Sequence, residues 1–370
     1  MLRTRRQELG LSLRQIEQRA AAEGNPIPFS TLSKIEQAKT EPGLRRLVQL
    51  LRLYHLPVEL AGELLEVEEL AGEVPVEGED PTALLQEAVD CVKRGDLRRG
   101  LAKLLALRLD TADDPDYRLL RQSSTLTLAI ACISLGKVKL ARRLAEDLLI
   151  EGPDPSLLVN VLAFVGRAWR ELGVYEGALA FVERAAHHVD DDHPQHRAWV
   201  CHELALIHRG KGELDEALRL IDEALEHYRR AEDVRGEAPA IGAKVSILER
   251  RGEARAALRL ARAGLALAEK HGFENLRLHR MLDEGRLQLA LGDREAGLAV
   301  LHEALGESIK IGNKDAQFHA HYQLWKAYDG FGDKERARFE EQAACYFVRF
   351  VDEVNEASTE VRQKLGEGLR

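Results

Sequence analysis

The chain has 370 residues, of which 45% are apolar and only 5% aromatic, and its net charge is −9. No stretch approaches the run of about 20 apolar residues that a membrane helix needs, and no apolar segment follows the basic start of the chain. The four cysteines are scattered without a Cys-x-x-Cys pair, which is typical of buried thiols in a reducing compartment. We therefore expect a cytoplasmic protein without a signal peptide or membrane span.

The charge is distributed unevenly along the chain. Residues 1–60 carry ten Lys and Arg against six Asp and Glu, a net charge of +4, whereas the remaining residues carry −13. A basic N-terminal part can approach phosphate groups that the acidic remainder would repel. This asymmetry favours a nucleic-acid partner for the N-terminal part.

Helical periodicity predicts four helices at the N-terminus and the start of a fifth near Pro57. Gly10 ends the first helix, Ser12 is a suitable N-cap for the second, and Leu32 and Ile35 face inward from the third. The four predicted ranges are Leu2–Leu9, Leu13–Ala22, Phe29–Gln37 and Leu44–Tyr54.

This arrangement resembles the helix-turn-helix domain of lambda-type phage repressors, the XRE family, over Met1 to about Leu65. The turn between the second and third helices is longer than in short members of that family. A degenerate domain that makes only protein contacts is the alternative, and the basic charge argues against it. The resemblance is carried by Arg6, the segment Glu8–Ser12, the segment Ser30–Glu36, and Glu41-Pro42.

The resemblance implies that Phe29–Gln37 is the recognition helix and that the protein binds double-stranded DNA. Lys34 is the best candidate for a base contact, because a cation can address the O6 and N7 atoms of guanine. Arg6 and Glu36 match positions that pair in some relatives. The residues implied at the major groove are Ser30, Thr31, Ser33 and Lys34, and those implied near phosphates are Arg14, Lys39, Thr40 and Arg45. Phe29, the first residue of the same helix, is also assigned to DNA binding.

An acidic linker is predicted at residues 66–80, after the DNA-binding domain of residues 1–65. It contains seven acidic residues, no basic residue, two glycines and a proline. This composition is typical of a segment without a packed core, and its charge would keep it away from DNA.

A sequence motif occurs seven times along most of the chain from residue 81 onward. A glycine recurs at intervals of 41, 37, 39, 40, 40 and 40 residues, and five residues after each glycine stands Ala or Gly. A period in this range predicts a solenoid of stacked helix pairs, in which glycine ends the first helix of each pair. The glycines are Gly95, Gly136, Gly173, Gly212, Gly252, Gly292 and Gly332, followed by Gly100, Ala141, Ala178, Ala217, Ala257, Gly297 and Ala337.

These units resemble tetratricopeptide repeats (TPR) from Thr82 to Ala344, as the segments Gly173–Ala185 and Gly212–Leu225 illustrate. The period is longer than the usual length of about 34 residues, which longer helices or longer loops would explain. The predicted fold is all-α, with a lambda-repressor-like helix-turn-helix domain followed by a right-handed α-solenoid of about seven TPR-like pairs. Within a repeat domain of residues 81–356, Glu335–Glu356 is predicted as a closing or dimerising helix, and residues 357–370 as a polar tail.

The concave face of such a solenoid is lined by the first helix of each pair, and the glycine register predicts which residues lie there. They form a basic, polar and aromatic surface suited to an extended peptide, because Asn can bond a peptide backbone and Arg can bind a carboxylate. A solvated helix face without a ligand is the alternative for each residue. The candidates are Asn160, Arg167, Arg170, Trp199, His202, Arg209, Ser246, His279, Arg286, His319, Tyr322 and Lys326.

We predict no metal site, no cofactor and no catalytic residue. His187, His188, His193 and His196 with the intervening aspartates fall in one predicted loop, without the helical spacing that fixes a ligand geometry. His319 and His321 point to different faces of a helix. Phosphate-binding glycine loops and nucleophile elbows are absent from the sequence, which argues against an enzyme.

The combination of an XRE-type domain with helical repeats resembles the Rap, Rgg, NprR, PlcR and PrgX group of peptide-responsive quorum-sensing regulators. The resemblance implies a homodimeric transcriptional regulator whose repeat domain binds a short signalling peptide or other effector and controls DNA binding. The alternative is a TPR scaffold that binds a partner protein, with a vestigial or autoregulatory DNA-binding domain, because a fold does not fix its ligand.

Overall fold

The structure is a computed structural model that describes residues 2–37, 39–56, 80–94, 96–110, 115–190, 193–351 and 355–367, with the isolated positions 62, 65, 67 and 69. The chain divides into two compact units, residues 1–164 and residues 165–370. The described residues form α-helices and short 3-10 turns without a strand. Among them, no helix has the length and apolar character that a bilayer span requires.

Four short helices form the N-terminal domain: α1 (Leu2–Glu8), α2 (Leu13–Ala22), α3 (Phe29–Glu36) and α4 (Leu44–Leu53). They match the predicted helices, with three C-terminal ends one residue earlier. Gly10 ends the first turn with φ of 64°, a conformation that glycine adopts at little cost. The Ser12 side chain accepts from the Gln15 backbone N–H, and the Gln15 side chain accepts from the Ser12 N–H, which forms a capping box at α2.

The core of this domain is small and aliphatic. Leu13, the first residue of α2, is only half-buried. The fifth helix predicted near Pro57 and most of the acidic linker lie outside the described residues. The buried core side chains are Ile16, Ala20, Ile27, Leu32, Ile35, Leu50, Leu51, Leu53, Tyr54 and Leu56.

The repeat region contains seven helix pairs among the described residues, as the periodicity predicts. The first unit holds α5 (Pro81–Arg94), α6 (Leu97–Asp110), α7 (Arg118–Ser134) and α8 (Val138–Glu151), and α9 (Leu158–Glu171) runs from the first unit into the second. The second unit continues with α10 (Tyr175–Ala186), α11 (Pro194–Lys211), α12 (Leu214–Arg230), α13 (Val234–Arg250), α14 (Ala254–His271), α15 (Glu274–Ala290), α16 (Arg294–Ile311), α17 (Lys314–Phe331) and α18 (Lys334–Phe347).

The structure explains both the repeated glycine and the small residue five positions after it. The described glycines of the repeat register all have positive φ, between 75° and 90°, where a side chain is strained. The small residue five positions later is buried in all seven units. At Gly297 a Cβ would lie 2.7 Å from Leu289 Cγ and 2.8 Å from the Gly285 carbonyl oxygen. The helices of a pair therefore approach too closely for a larger side chain.

The 40-residue period comes from long helices rather than long loops. From α11 to α17 each helix has 17 or 18 residues, and two or three residues separate it from the next. A second set of glycines with positive φ, Gly152, Gly272 and Gly312, ends the second helix of some pairs. Each repeat therefore buries a longer stripe than a unit of usual TPR length.

The C-terminus differs from the prediction. The helix predicted over Glu335–Glu356 ends at Phe347, where a 3-10 turn (Val348–Phe350) and the extended residue Val351 follow. Residues 357–370, predicted as a polar tail, contribute most of another helix, α19 (Glu356–Glu367), in which Ser358 and Val361 are fully buried. The few apolar residues of this segment concealed its packing, in which Val361 and Ala357 join the core of the last pair.

Candidate DNA-binding and effector-binding surfaces

A charged network fixes α1 and α3 relative to each other in the N-terminal domain. Arg6 donates from Nε and Nη2 to the two carboxylate oxygens of Glu36, each at 2.8 Å. The Tyr54 hydroxyl donates to Glu36 Oε1 at 2.7 Å, and Arg6 Nη1 donates to the Leu11 carbonyl at 3.0 Å. Burial and the neighbouring Glu36 carboxylate raise the pKa of Tyr54, so the hydroxyl keeps its proton. The pairing that the resemblance implied for Arg6 and Glu36 is present.

The third helix turns its polar side outward. Leu32 and Ile35 enter the core, whereas Ser30 and Lys34 are exposed and Thr31 and Ser33 are half-buried. At 100° per residue, the outward positions share one side of the helix, opposite the core positions. The outward side of α3 therefore carries short hydroxyl side chains with one cation, Lys34, and one aromatic ring, Phe29.

The long turn before α3 is anchored at both ends. Ile27 is 1% exposed and joins the core, and Gln49 Nε2 donates to the Asn25 carbonyl at 2.6 Å. The Phe29 backbone N–H donates to Glu17 Oε1 at 2.8 Å, which holds the first residue of α3 against α2. The longer turn thus leaves the start of α3 in a fixed position.

The residues predicted near phosphates lie on the surface of the domain. Arg14, Lys39, Thr40 and Arg45 are all exposed. The Lys39 backbone N–H donates to the Lys34 carbonyl at 2.8 Å, which closes the C-terminal end of α3. The three basic side chains that the resemblance assigned to phosphates are therefore exposed among the described residues.

The first helices of successive pairs form the inner layer of the second unit. Besides their own partners, α11 contacts α13, α13 contacts α15, and α15 contacts α17. Polar contacts join the same helices: Arg250 Nη1 donates to the Arg209 carbonyl, and Arg286 pairs with Glu249. The predicted concave residues of this unit therefore lie on one layer.

At one end of this layer, arginines of α9 contact α11. Arg170 Nε donates to Glu203 Oε2 at 3.0 Å in a buried ion pair, and Arg170 Nη2 donates to Glu171 at 2.9 Å. Burial raises the pKa of Glu203, but the charges of Arg170 and Arg167 outweigh this effect and hold the pKa below its usual value. Arg167 is one-third exposed and its Nε lies 3.8 Å from Glu171 Oε1. Both arginines at this end of the layer therefore have carboxylate neighbours.

His202 is a buried neutral residue beside this pair. Its ring meets Tyr228 edge-on with centroids 6.1 Å apart, and the Tyr228 hydroxyl lies 3.5 Å from Nδ1. Burial lowers the pKa of His202 to about 4. Its role is therefore packing and hydrogen bonding in neutral form, beneath the surface rather than on it.

Further along the layer, α13, α15 and α17 bring together a mixed cluster. Arg286 pairs with Glu249 and, at 3.0 Å, with Asp283. His279 and His319 both lie 3.7 Å from Asp315. Burial raises the pKa of Asp283 and lowers that of His279, each against the opposing charge of its neighbours. This cluster offers a ligand both hydrogen-bond donors and carboxylate acceptors.

Some predicted residues have other roles or stand apart. Tyr322 donates to Glu360 at 2.7 Å and Lys326 donates to the same carboxylate at 3.0 Å, so both contact α19. Trp199 and Ser246 are half-buried in the second unit, and Asn160 is half-buried in the first. Sequence reasoning missed the acidic partners of the predicted residues. Glu203 and Glu249 pair with arginines of other helices, which leaves no local pattern. The other three, Glu171, Asp283 and Asp315, stand three or four residues from a predicted residue on the same helix, and that spacing could have indicated them.

The histidines near residue 190 do not assemble a ligand set within the described part of the chain. His193 and His196 stack with ring centroids 5.4 Å apart. Across the described residues, no group of three His, Cys, Asp or Glu side chains could hold a metal ion.

Comparison with known proteins supports this architecture. A family model described as a helix-turn-helix domain matches residues 1–64. The crystal structure of a Rap protein complexed with competence and sporulation factor is similar over 73% of this chain and 76% of that one, with 16% identity and a TM-score of 0.59. That of NprR in complex with its cognate peptide NprX is similar over 78% and 83%, with 13% identity and a TM-score of 0.56.

No curated protein sequence matches the chain. At these identities the two structures establish the fold of the repeat region and leave its ligand open. The N-terminal domain is a helix-turn-helix domain, and the rest of the chain has the TPR-like fold of the Rap and NprR structures. The architecture predicted from the sequence is confirmed.

Proposed function

We propose that the protein is a sequence-specific DNA-binding transcriptional regulator that acts as a homodimer. The observation that carries the proposal is the outward face of α3, where Ser30, Ser33 and Lys34 stand on a helix fixed by the Arg6–Glu36 pair. A rigid helix with short polar side chains can enter the major groove and bring Lys34 to base edges. The positive charge of residues 1–60 would provide phosphate attraction.

The repeat domain is proposed to bind a short signalling peptide or another effector on its inner layer. Arg167 is partly exposed beside a buried ion pair, and Arg286, His279 and Asp315 retain exposed surface in the mixed cluster. Guanidinium groups bind carboxylates in a fixed fork, and carboxylates accept from backbone N–H groups. The peptide bound to NprR, a protein of the same fold, supports a peptide as the ligand class.

Effector binding would control DNA binding through the curvature of the repeats. Within the second unit each repeat contacts its neighbours, so a ligand that bridges several first helices would favour one arrangement of the stack. In a homodimer, that arrangement sets the distance between two DNA-binding domains. Two half-sites one DNA turn apart, about 34–36 Å, would be bound only at the matching distance.

The test uses the full-length protein in two measurements. Selection from a random duplex pool would recover an enriched sequence, and native mass spectrometry of the purified protein would show a dimer, with or without a peptide-sized extra mass. Arg286→Ala is expected to lose the extra mass, whereas Lys310→Ala, a change of an exposed lysine on α16, is expected to retain it.

Three outcomes would separate the possibilities. An enriched sequence bound by a dimer would support the regulator. Enrichment of no sequence would refute it, and stoichiometric capture of one partner protein would then favour the scaffold. A monomer that binds a single half-site would retain DNA binding and overturn the two-half-site arrangement.

A further inference from the structure

The first residue of the recognition helix is a large aromatic side chain in an exposed position. Phe29 is 45% exposed, although its neighbours in the chain Ile27 and Leu32 are buried in the core of the domain. Its backbone N–H donates to Glu17 Oε1, so its Cα position is fixed by α2. A single exposed apolar residue is ordinary on a protein surface. The position of this one, on the face that is proposed to enter DNA, gives it a specific consequence.

Phe29 shares its face with short side chains. Ser30 and Ser33 are the outward neighbours within one turn, and neither extends as far from the helix as a phenyl ring. Lys34 is the other long side chain on this face. Residues at the N-terminal end of a recognition helix are those that reach base edges in helix-turn-helix proteins. The ring would therefore meet the groove floor when the helix is seated.

A phenyl ring can discriminate among base edges because it neither donates nor accepts a conventional hydrogen bond. It offers no hydrogen bond, so it would leave the polar edges of guanine, adenine and cytosine without the water that they bind in the free groove. The thymine C5-methyl group is the apolar feature of the major groove, and aromatic contact with it removes apolar surface from water. The ring favours thymine over the other three bases.

We infer that Phe29 is a specificity-determining residue that reads the methyl group of a thymine in the operator. This inference rests on the proposed DNA-binding function and adds a base preference to it. The occupant of the surface is duplex DNA with thymine opposite the first turn of α3. The contact is apolar, so it contributes sequence preference independently of the phosphate attraction that the basic side chains provide.

The experiment replaces thymine by uracil, which differs only by the methyl group, one position at a time in the site selected by the full-length protein. The wild-type protein should lose about fourfold in affinity at one thymine per half-site, the equivalent of one buried methyl group at about 0.8 kcal/mol. Phe29→Ala should bind thymine and uracil equally at that position. Phe29→Leu should keep part of the preference.

The matched control is Leu44→Ala, which removes another large exposed apolar side chain of the domain, 68% exposed at the start of α4. It should retain the fourfold preference at the same thymine. Lys34→Ala should weaken binding to the thymine and uracil sites by the same factor.

Two results would overturn the inference while the regulator stands. In one, the selected site contains no thymine whose methyl group matters. In the other, Phe29→Ala keeps the wild-type ratio of affinities at every thymine. If no duplex is selected at all, the proposed function fails and this inference fails with it.

Discussion

Arg6 and Glu36, thirty residues apart in the chain, are joined by two parallel hydrogen bonds of 2.8 Å that link α1 to α3. The pair is largely shielded from water, with side chains 14% and 4% exposed. A paired guanidinium and carboxylate in this fork geometry fix direction as well as distance. The pair therefore fixes the orientation of α3 relative to α1.

Removal of Arg6 is expected to destabilise the N-terminal domain. Arg6→Ala would leave the buried Glu36 carboxylate without its cation, which costs about 3 kcal/mol. Amide hydrogen exchange of residues 2–56 in the full-length protein measures this local stability. Arg3→Ala removes an exposed arginine of the same helix and should change protection by less than about 0.5 kcal/mol. Equal protection in both variants would contradict a stabilising role for the pair.

Two glycines of α16 should respond oppositely to alanine. Gly297→Ala places a Cβ within 2.8 Å of the Gly285 carbonyl oxygen and should cost about 1–3 kcal/mol. Gly306 lies in the same helix with open space around its Cβ position, so Gly306→Ala should stabilise by about 0.5–1 kcal/mol. Denaturant unfolding of the two variants gives both values. If Gly297→Ala had the wild-type free energy of unfolding, the helices α15 and α16 could move apart without a loss of stability.

Lys34 is expected to contribute a base contact. Lys34→Ala should weaken binding to the selected operator by about 1–3 kcal/mol and relax the preference at one base pair. Binding isotherms on the operator and on its single-base variants measure both effects. Lys270→Ala, which changes an exposed lysine of the repeat domain, serves as the control. Unchanged affinity and preference for Lys34→Ala would refute the assignment.

His202 should make the repeat domain less stable in mild acid. Its folded pKa of about 4 lies below the usual 6.5, so between these values the unfolded chain binds the proton more readily. The contribution of neutral His202 to the free energy of unfolding is therefore complete above pH 6.5 and is lost as the pH is lowered toward 4. The loss between pH 7 and pH 5 should be about 2 kcal/mol for this residue.

His202→Gln provides the control for that prediction, because glutamine takes up no proton. Denaturant unfolding of both proteins at pH 7 and pH 5 cancels the contribution of the other titrating groups. The variant should lose about 2 kcal/mol less than the wild type over this interval. An equal loss in both proteins would show that His202 is not the acid-sensitive group.

Repetition made the repeat domain predictable. The glycine at the end of each first helix is required by a left-handed backbone conformation, and the small residue after it by the close approach of two helices. Both demands recur in every unit, so seven weak local patterns reinforce one another. The C-terminal segment lacks this reinforcement, and its helix α19 was missed because few of its buried residues, among them Ser358 and Val361, form a recognisable pattern.

The sequence alone determined the helix-turn-helix domain and the helix pairs, because these follow from local periodicity and turn chemistry. Only the tertiary structure decided the partners of the residues predicted for the concave face. It paired Arg170 with Glu203 and Arg286 with Glu249, and it directed Tyr322 and Lys326 toward Glu360. An ion pair between helices depends on side-chain direction and distance across separate repeats, which the spacing of residues along one helix does not contain.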